Sequence, residues 1–439
     1  KTFKSEGFPK SAIGFRTGSQ NGFGKSIITL DGDPCLFTYS AAGGHPWIWN
    51  LKTREYYKWG TLAAGYGNAS LVRAVVNGPA GSNEIYMGAY NTEGCAIYNT
   101  ELGTLTKRYL TAGQTDSQIW YDGVLYAGNY SSGVISACDP ATDKVEVVYT
   151  IGEDQKRVHT IAAGDGHVFA GTIPDSGLNG GGIAVYNINT KQGKTYRDVI
   201  PGQSITSLVY HDGLLYGSST RSGGNSSSFV DGTSAVLFVF DYINGELLAT
   251  CDLSEHIEGL ATPINYIAGI EADPNVAENG RFWAVVSETL VCYTYDRNTK
   301  TFQAQEVISF DKTDYHVGGG RHWLDRPILF IEELNQIYVA FDDFGGMQCI
   351  ELADWNAAVG NVTAAKNTLI MNDLPRWYTL GEDGNLYYAD DLNLKMLPLN
   401  VSDEDWAVAA VVDELIAAIA RERFGLVMPD EIVFYGPSD

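Results

Sequence analysis

Short runs of alternating apolar and polar positions follow one another along most of this chain, and three stretches show the unit best. Gln118-Ile-Trp-Tyr-Asp-Gly-Val-Leu-Tyr-Ala-Gly leads to Val134-Ile-Ser-Ala-Cys-Asp-Pro-Ala-Thr. His159-Thr-Ile-Ala-Ala-Gly-Asp-Gly-His-Val-Phe-Ala-Gly leads to Gly182-Ile-Ala-Val-Tyr-Asn-Ile-Asn-Thr. Ile205-Thr-Ser-Leu-Val-Tyr-His-Asp-Gly-Leu-Leu-Tyr-Gly leads to Val236-Leu-Phe-Val-Phe-Asp-Tyr-Ile-Asn-Gly. Period-two alternation rich in β-branched and aromatic residues predicts strands. The Asp-Gly pair predicts a tight hairpin, because both central residues of that turn need positive φ. The later Asp or Asn with Gly or Thr behind it predicts the turn between a third and a fourth strand.

An aromatic anchor recurs in the predicted second strand at Phe37, Tyr86, Tyr126, Phe169, Tyr216, Phe282, Tyr338 and Tyr387. Consecutive anchors lie between 40 residues (Tyr86 to Tyr126) and 66 residues (Tyr216 to Phe282) apart. Four strands per unit at that period predict an all-β chain, a β-propeller of seven or eight four-stranded blades, with eight favoured. The predicted propeller occupies residues 1–400. An open ring would leave sheet edges exposed, so closure is expected to use strands from both ends of that segment.

The pattern changes after residue 400. Ser402 suits a helix N-cap, acidic residues follow it, and Val408, Val411, Val412, Leu415, Ile416 and Ile419 keep helical spacing. Residues 401–439 are therefore expected to hold a C-terminal helix and a terminal strand near 430–436. They serve either as a cover for a propeller edge or as the start of a linker.

Composition narrows the partners. Aromatics make up 12% of the 439 residues, with 26 Tyr and 49 Gly, as a turn-rich β protein requires. With 53 acidic and 29 basic residues the formal charge is −24, a field that repels a phosphate backbone and argues against nucleic acid. No apolar run is long enough for a membrane-spanning helix. The six cysteines, Cys35, Cys95, Cys138, Cys251, Cys292 and Cys349, are widely spaced without a CxxC pair. They are read as buried free thiols, with one or two disulfides left open. Sequons at Asn68, Asn129, Asn225, Asn361 and Asn400 point to a secreted or cell-surface protein.

Candidate chemistry sits at the predicted starts of the inner strands. Asn68, Arg73, Asp116, Gln118, Arg157, His159, Gln203, Asn265, Tyr266, Arg321, His322, Arg376 and Trp377 fall there. The arginines would form a local positive site in an acidic protein, suited to bidentate capture of a carboxylate. Arg157, Arg321, Arg376, Gln118, Gln203, Asn265, Trp47 and Trp377 are the substrate-binding candidates. The alternative is that inward arginines bind loop carbonyls and plug the channel. The stretch from Tyr315 to Arg326 is dense in polar groups, with His316, Arg321, His322 and Asp325. A histidine there could remove the proton α to a uronate carboxylate while arginine neutralises that carboxylate. His322, His159 and Tyr266 are the catalytic candidates. The Gly-rich segments around Gly43, Thr172 and Ser218 lack a P-loop ending and are expected to allow close approach of backbone to a ligand or to a neighbouring blade. No metal-ligand or cofactor motif stands out, and Phe341-Asp-Asp or Leu30-Asp-Gly-Asp offers only an unsupported structural Ca²⁺ site.

The repeats of residues 113–250 resemble secreted bacterial propeller modules of the quinoprotein-like or carbohydrate-active type, among them oligogalacturonate and rhamnogalacturonan lyases. The resemblance is architectural. It implies a lyase or hydrolase acting on an acidic, uronate-containing polysaccharide at the channel mouth, or a non-catalytic surface module that binds a glycan or protein. The regular tryptophan docking motifs of quinone-dependent propellers are missing. Ala409-Ala-Val-Val-Asp-Glu-Leu-Ile-Ala-Ala-Ile resembles a helix of linker repeats in Gram-positive surface proteins, which implies a larger multidomain parent.

Overall fold

The computed structural model describes residues 25–30, 33–39, 46–50, 56–57, 72–79, 81–89, 94–99 and 104–310 (apart from Glu153 and Val230), then Lys312 and residues 328–341, 347–371, 378–381, 385–390 and 393–397. It divides into two compact units, residues 1–72 with 384–439, and residues 73–383. The predicted C-terminal helix and terminal strand lie outside the described residues.

The smaller unit holds one antiparallel meander, Lys25–Leu30, Asp33–Tyr39, Pro46–Asn50 and Tyr56–Tyr57, paired in that order, and a hairpin of Leu386–Asp390 with Asn393–Leu397. Pro46–Asn50 is a strand in which Trp47 pairs with Thr38. Trp47 therefore belongs to a third strand and not, as expected, to the loop before it.

The larger unit is a succession of four-stranded antiparallel meanders, each paired in chain order. With the label 1 kept for the meander of the smaller unit and numbers that follow chain order only, blade 2 starts at Val72–Asn77, blade 3 at Gln114–Tyr121, blade 4 at Arg157–Gly164, blade 5 at Ser204–His211, blade 6 at Ile267–Ala272 and blade 7 at Ile328–Ile331. The inner strand of blade 4 lies beside those of blades 3 and 5, and the inner strand of blade 5 beside that of blade 6. This side-by-side array of first strands is the propeller arrangement. Helical content among the described residues is confined to short turns at Leu253–Glu255, Val276–Asn279 and Glu332–Leu334.

The predicted local chemistry is in place. Asp122-Gly123, Asp165-Gly166 and Asp212-Gly213 turn the first hairpins, with positive φ at both residues of each pair. Between third and fourth strands the Asp139, Asn187, Asp241 and Asp296 side chains accept backbone N–H bonds from the turn that follows them. All eight predicted anchors fall in second strands or their hairpin equivalent, and the seven from Tyr86 to Tyr387 are buried. For blades 4 to 6 the reason is geometric: the second strand is flanked by strands on both sides and packs into the joints with the blades before and after it.

The core is a series of joints. One cluster joins Tyr126, Ile135 and Ala137 of blade 3 to Val158, Ile161 and Val168 of blade 4. Equivalent clusters join blades 4 and 5, 5 and 6, and 6 and 7. Across the 5/6 joint the anchors Tyr216 and Phe282 stack with ring centroids 4.1 Å apart. Two glycines make close joints possible. A Cβ on Gly128 would lie 2.4 Å from Val158 Cγ1, and one on Gly171 would lie 2.6 Å from Ile205 Cγ2, each on the inner strand of the next blade. The recurrent Ala-Gly after the anchor is thus a docking groove for the following blade.

Candidate functional site

Four consecutive inner strands carry a β-bulge at the same level. Asp116 is the extra residue between Thr115 and Ser117 in blade 3, and His159 between Val158 and Thr160 in blade 4. Thr206 and Ala268 hold the same position in blades 5 and 6. A bulge leaves one residue out of the ladder and re-aims its side chain, a device common beside functional sites. Its recurrence makes the head of these strands the candidate site.

At the 3/4 joint, Arg157 donates from Nη1 to Asp116 Oδ2, and Gln114 donates from Nε2 to Asp116 Oδ1. Both charged side chains are nearly buried, Arg157 at 6% and Asp116 at 3% exposure. The Arg157 guanidinium also lies 3.8 Å from the centroid of the Tyr130 ring, an attraction between cation and π-face. Thus Arg157, for which both an open charge and a hydrogen-bonded plug were expected as alternatives, is ion-paired. His159 is buried two residues along the same strand. Gln118 was expected at a strand start. The strand begins at Gln114, which places Gln118 about 13 Å further along, at 3.3 Å per residue. Its amide oxygen and nitrogen are both buried without a hydrogen-bond partner.

Gln203 bonds within its own blade. Its amide donates to Ser234 O at 2.8 Å and accepts from Ser219 Oγ at 2.7 Å. Gln155, just before the inner strand of blade 4, makes the matching pair, donating to Gly180 O and accepting from Thr172 Oγ1. These glutamines clamp the loop between second and third strands to the head of their own blade. The motif is visible in sequence as a Gln just before the inner strands of blades 4 and 5, at Gln155 and Gln203, but its role needs the fold. Asn265 accepts from Arg221 Nη1 at 2.8 Å, and its neighbour Tyr266 bridges to Thr220. Both are buried.

The Gly-rich loops of blades 4 and 5 approach each other, one of the two outcomes expected of them. Gly177 N donates to Asn225 O at 2.7 Å, Gly224 N to Leu178 O at 2.9 Å, and Asn179 Nδ2 to Ser228 O at 3.0 Å. Arg321, His322, Arg376 and Trp377, with His316 and Asp325, lie outside the described residues, as do the side chains of Arg73 and Trp47. Among the described residues no three His, Cys, Asp or Glu come together as a metal site, and no helix is long and apolar enough to cross a membrane.

The described cysteines other than Cys35, namely Cys95, Cys138, Cys251, Cys292 and Cys349, are buried free thiols. Burial pushes the Cys251 and Cys292 thiols up to about 12. Of the sequons, Asn129 is fully buried and bonded to Thr111, Thr115 and Ser136, whereas Asn225 and Asn361 are exposed.

Comparison with solved structures decides the fold class. Kuenenia stuttgartiensis hydrazine synthase is similar over 79% of this chain and 100% of that one, at 10% identity and TM-score 0.53. The β-propeller domain of Myceliophteria thermophila Cps50 (Swd1) is similar over 76% and 98%, at 9% identity and TM-score 0.51. This is a β-propeller-like fold. An extracellular domain assigned to a hybrid two-component system of B. thetaiotaomicron matches 77% of the chain at 12% identity and TM-score 0.50; the chain spans 39% of that longer one. Likeness at such identities speaks for the propeller alone. No protein-family model matches the sequence, and no curated protein matches it.

Proposed function

We propose that this propeller is a non-catalytic binding module for a hydroxyl-rich glycan, seated at the head of the inner strands of blades 3 and 4. The observation that carries the reading is the bulged Asp116 paired with Arg157 beside His159. A carboxylate, a guanidinium and an amide held at fixed spacing suit the vicinal hydroxyls of a sugar, each of which both donates and accepts. The glutamine clamps and the interlocked loops make the rim rigid, which favours binding by lowering the entropy lost on association. Pairing of Arg157 with Asp116 removes one of the positive charges on which a preference for polyanions was expected. The reading therefore favours a neutral chain over an acidic one. A glycan ligand suits a secreted or cell-surface setting, with which the exposed Asn225 and Asn361 sequons agree. The strand order along the chain suits eight blades.

Calorimetry against a panel of neutral and uronate oligosaccharides tests this reading. The expected outcome is saturable binding to a neutral member, without new reducing ends and without the ultraviolet absorbance of an unsaturated uronate. Turnover that is lost in His322→Ala would replace the module by a lyase acting through the residues from Tyr315 to Arg326. Absence of binding across the panel would remove the glycan reading altogether.

A further inference from the structure

We infer that the outer strand of blade 4, Gln192–Arg197, is a docking edge that takes an acidic, extended peptide as a fifth strand. A sheet edge offers unpaired backbone N–H and C=O groups, and proteins usually blunt it. In blades 2, 3, 5, 6 and 7 the fourth strand carries an extra residue opposite the third: Thr106, Val148, Leu248, Val307 and Ile370. Such bulges twist an edge away from a passing strand. In blade 4 the third and fourth strands pair without a break, from Gly182 opposite Arg197 to Asn187 opposite Gln192. Gln192, Gly193, Lys194 and Arg197 are exposed, and among the described residues no strand pairs with the outer side. Both faces of the strand are gripped. Toward blade 3, Tyr149 covers Gly193 and bonds Thr195 at 3.0 Å, and Arg197 Nη2 donates to Gly152 O at 3.1 Å. Toward blade 5, the Tyr196 hydroxyl donates to Tyr242 O at 2.9 Å. The edge is therefore regular, open and held in place.

The charge of this edge selects the occupant. Residues 191–197 hold Lys191, Lys194 and Arg197 and no acid, in a chain with 53 acidic and 29 basic residues. Asp198, next in the chain, turns a carboxylate oxygen back to the Gly202 N–H at 2.6 Å. A lysine standing across an edge would bar a strand, but Lys194 lies along Tyr196, with Nζ 4.2 Å from the ring centroid. A second copy would set these cations against their own kind, which opposes pairing. Carboxylates on an added strand would meet them instead, while backbone hydrogen bonds supply the pairing. The protein's net negative charge opposes such a peptide only at long range, and salt at about 0.15 M screens it beyond roughly 8 Å. Two strands separate this edge from the inner strand of its blade, and its occupancy does not depend on the proposed glycan site.

Fluorescence anisotropy with a labelled peptide of alternating glutamate and valine, about eight residues long to match a strand, tests the edge. At about 0.15 M salt it should bind saturably, and its lysine–valine counterpart at least about tenfold more weakly. A version N-methylated at every peptide nitrogen keeps the charges but cannot donate to the edge, and should also lose at least about tenfold. Lys191→Glu combined with Lys194→Glu should weaken the glutamate peptide by about tenfold. Lys144→Glu combined with Lys366→Glu changes net charge equally on the outer strands of blades 3 and 7 and should leave affinity as it is. Bound peptide should slow hydrogen exchange across residues 192–197 and in no other outer strand. If melting shows that the reversal at 191 and 194 unfolds the protein, Lys191→Gln with Lys194→Gln takes its place, with a smaller loss in the same direction. No binding overturns the proposal, as do equal affinities of the two peptides, indifference to N-methylation, or equal effects of the two variant pairs. A dimer that the reversal at 191 and 194 breaks up gives the edge to a second copy and overturns the acidic peptide.

Discussion

Two buried arginine–aspartate pairs occur among the described residues of the larger unit, and they differ in where their partners come from. Arg281 and Asp273 of blade 6 are eight residues apart, across the hairpin from first to second strand. Asp273 is bonded also by Trp283 Nε1, Asn275 N and Asn279 Nδ2. Arg281 donates onward to the carbonyls of Trp355 and Ala357 in blade 7, at 2.6 and 2.8 Å. That pair is a staple: a local turn builds it, and backbone carbonyls of the next blade complete it. Arg157 and Asp116 come from two different inner strands, and a bulge brings them together. The first pair uses side chain and fixed backbone to hold a joint. The second places side chains against side chains at the strand heads, with both charged groups nearly buried. Identical chemistry is closed off by backbone carbonyls in one place and by other side chains in the other, because of what surrounds it.

The largest expected effect attacks the staple. Asp273→Ala leaves a buried guanidinium without its carboxylate and should lower unfolding free energy by about 3–5 kcal/mol, read by urea denaturation. The exposed pair Arg297–Asp212, with side chains 42% and 75% exposed, supplies the contrast, since Asp212→Asn should change stability by only about 0–1 kcal/mol. Equal effects at the two sites would abolish the distinction drawn for Asp273. Next in size are the joint glycines. Gly128→Ala should cost about 1–3 kcal/mol through overpacking against Val158. Because Val158 adjoins both Arg157 and His159, glycan affinity should fall with it. Loss of stability with affinity intact would separate the joint from the site.

The smallest effect concerns Cys292, which packs in the 6/7 joint beside the staple. Its thiol is raised from 9.0 to about 12 by burial, so the folded state disfavours the thiolate. A raised acid pKa contributes stability that is complete below the unfolded value and is lost as pH rises toward the folded one. The urea midpoint should therefore drift down between pH 9 and pH 12. Near neutral pH the parent thiol should resist alkylation, and Asp273→Ala should speed it by opening the joint. Alkylation at the same slow rate in both proteins would mean that the joint stays shut without the staple.

Much of the scaffold was legible in the amino-acid sequence. The anchors, the Asp-Gly hairpins and the Asp or Asn turns are local events, dictated by side-chain alternation, by residues that accept positive φ, and by side chains that bond their own turn. The burial of widely spaced thiols followed from the same pattern. The site was legible only as a set of residue types. Arg157, Asp116 and His159 were all on view as candidates, but no pattern says that an inner strand bulges, since a bulge is a mismatch with its partner strand. Nor could spacing tell that Gln203 clamps a loop while Gln118 stays unsatisfied, because their strands begin at different offsets. By itself the sequence determined strands, turns and repeat, each set within a few residues of backbone. Tertiary structure alone decided which charges neutralise each other. That choice depends on the register of strands 41 residues apart, and register is a property of the packed joint.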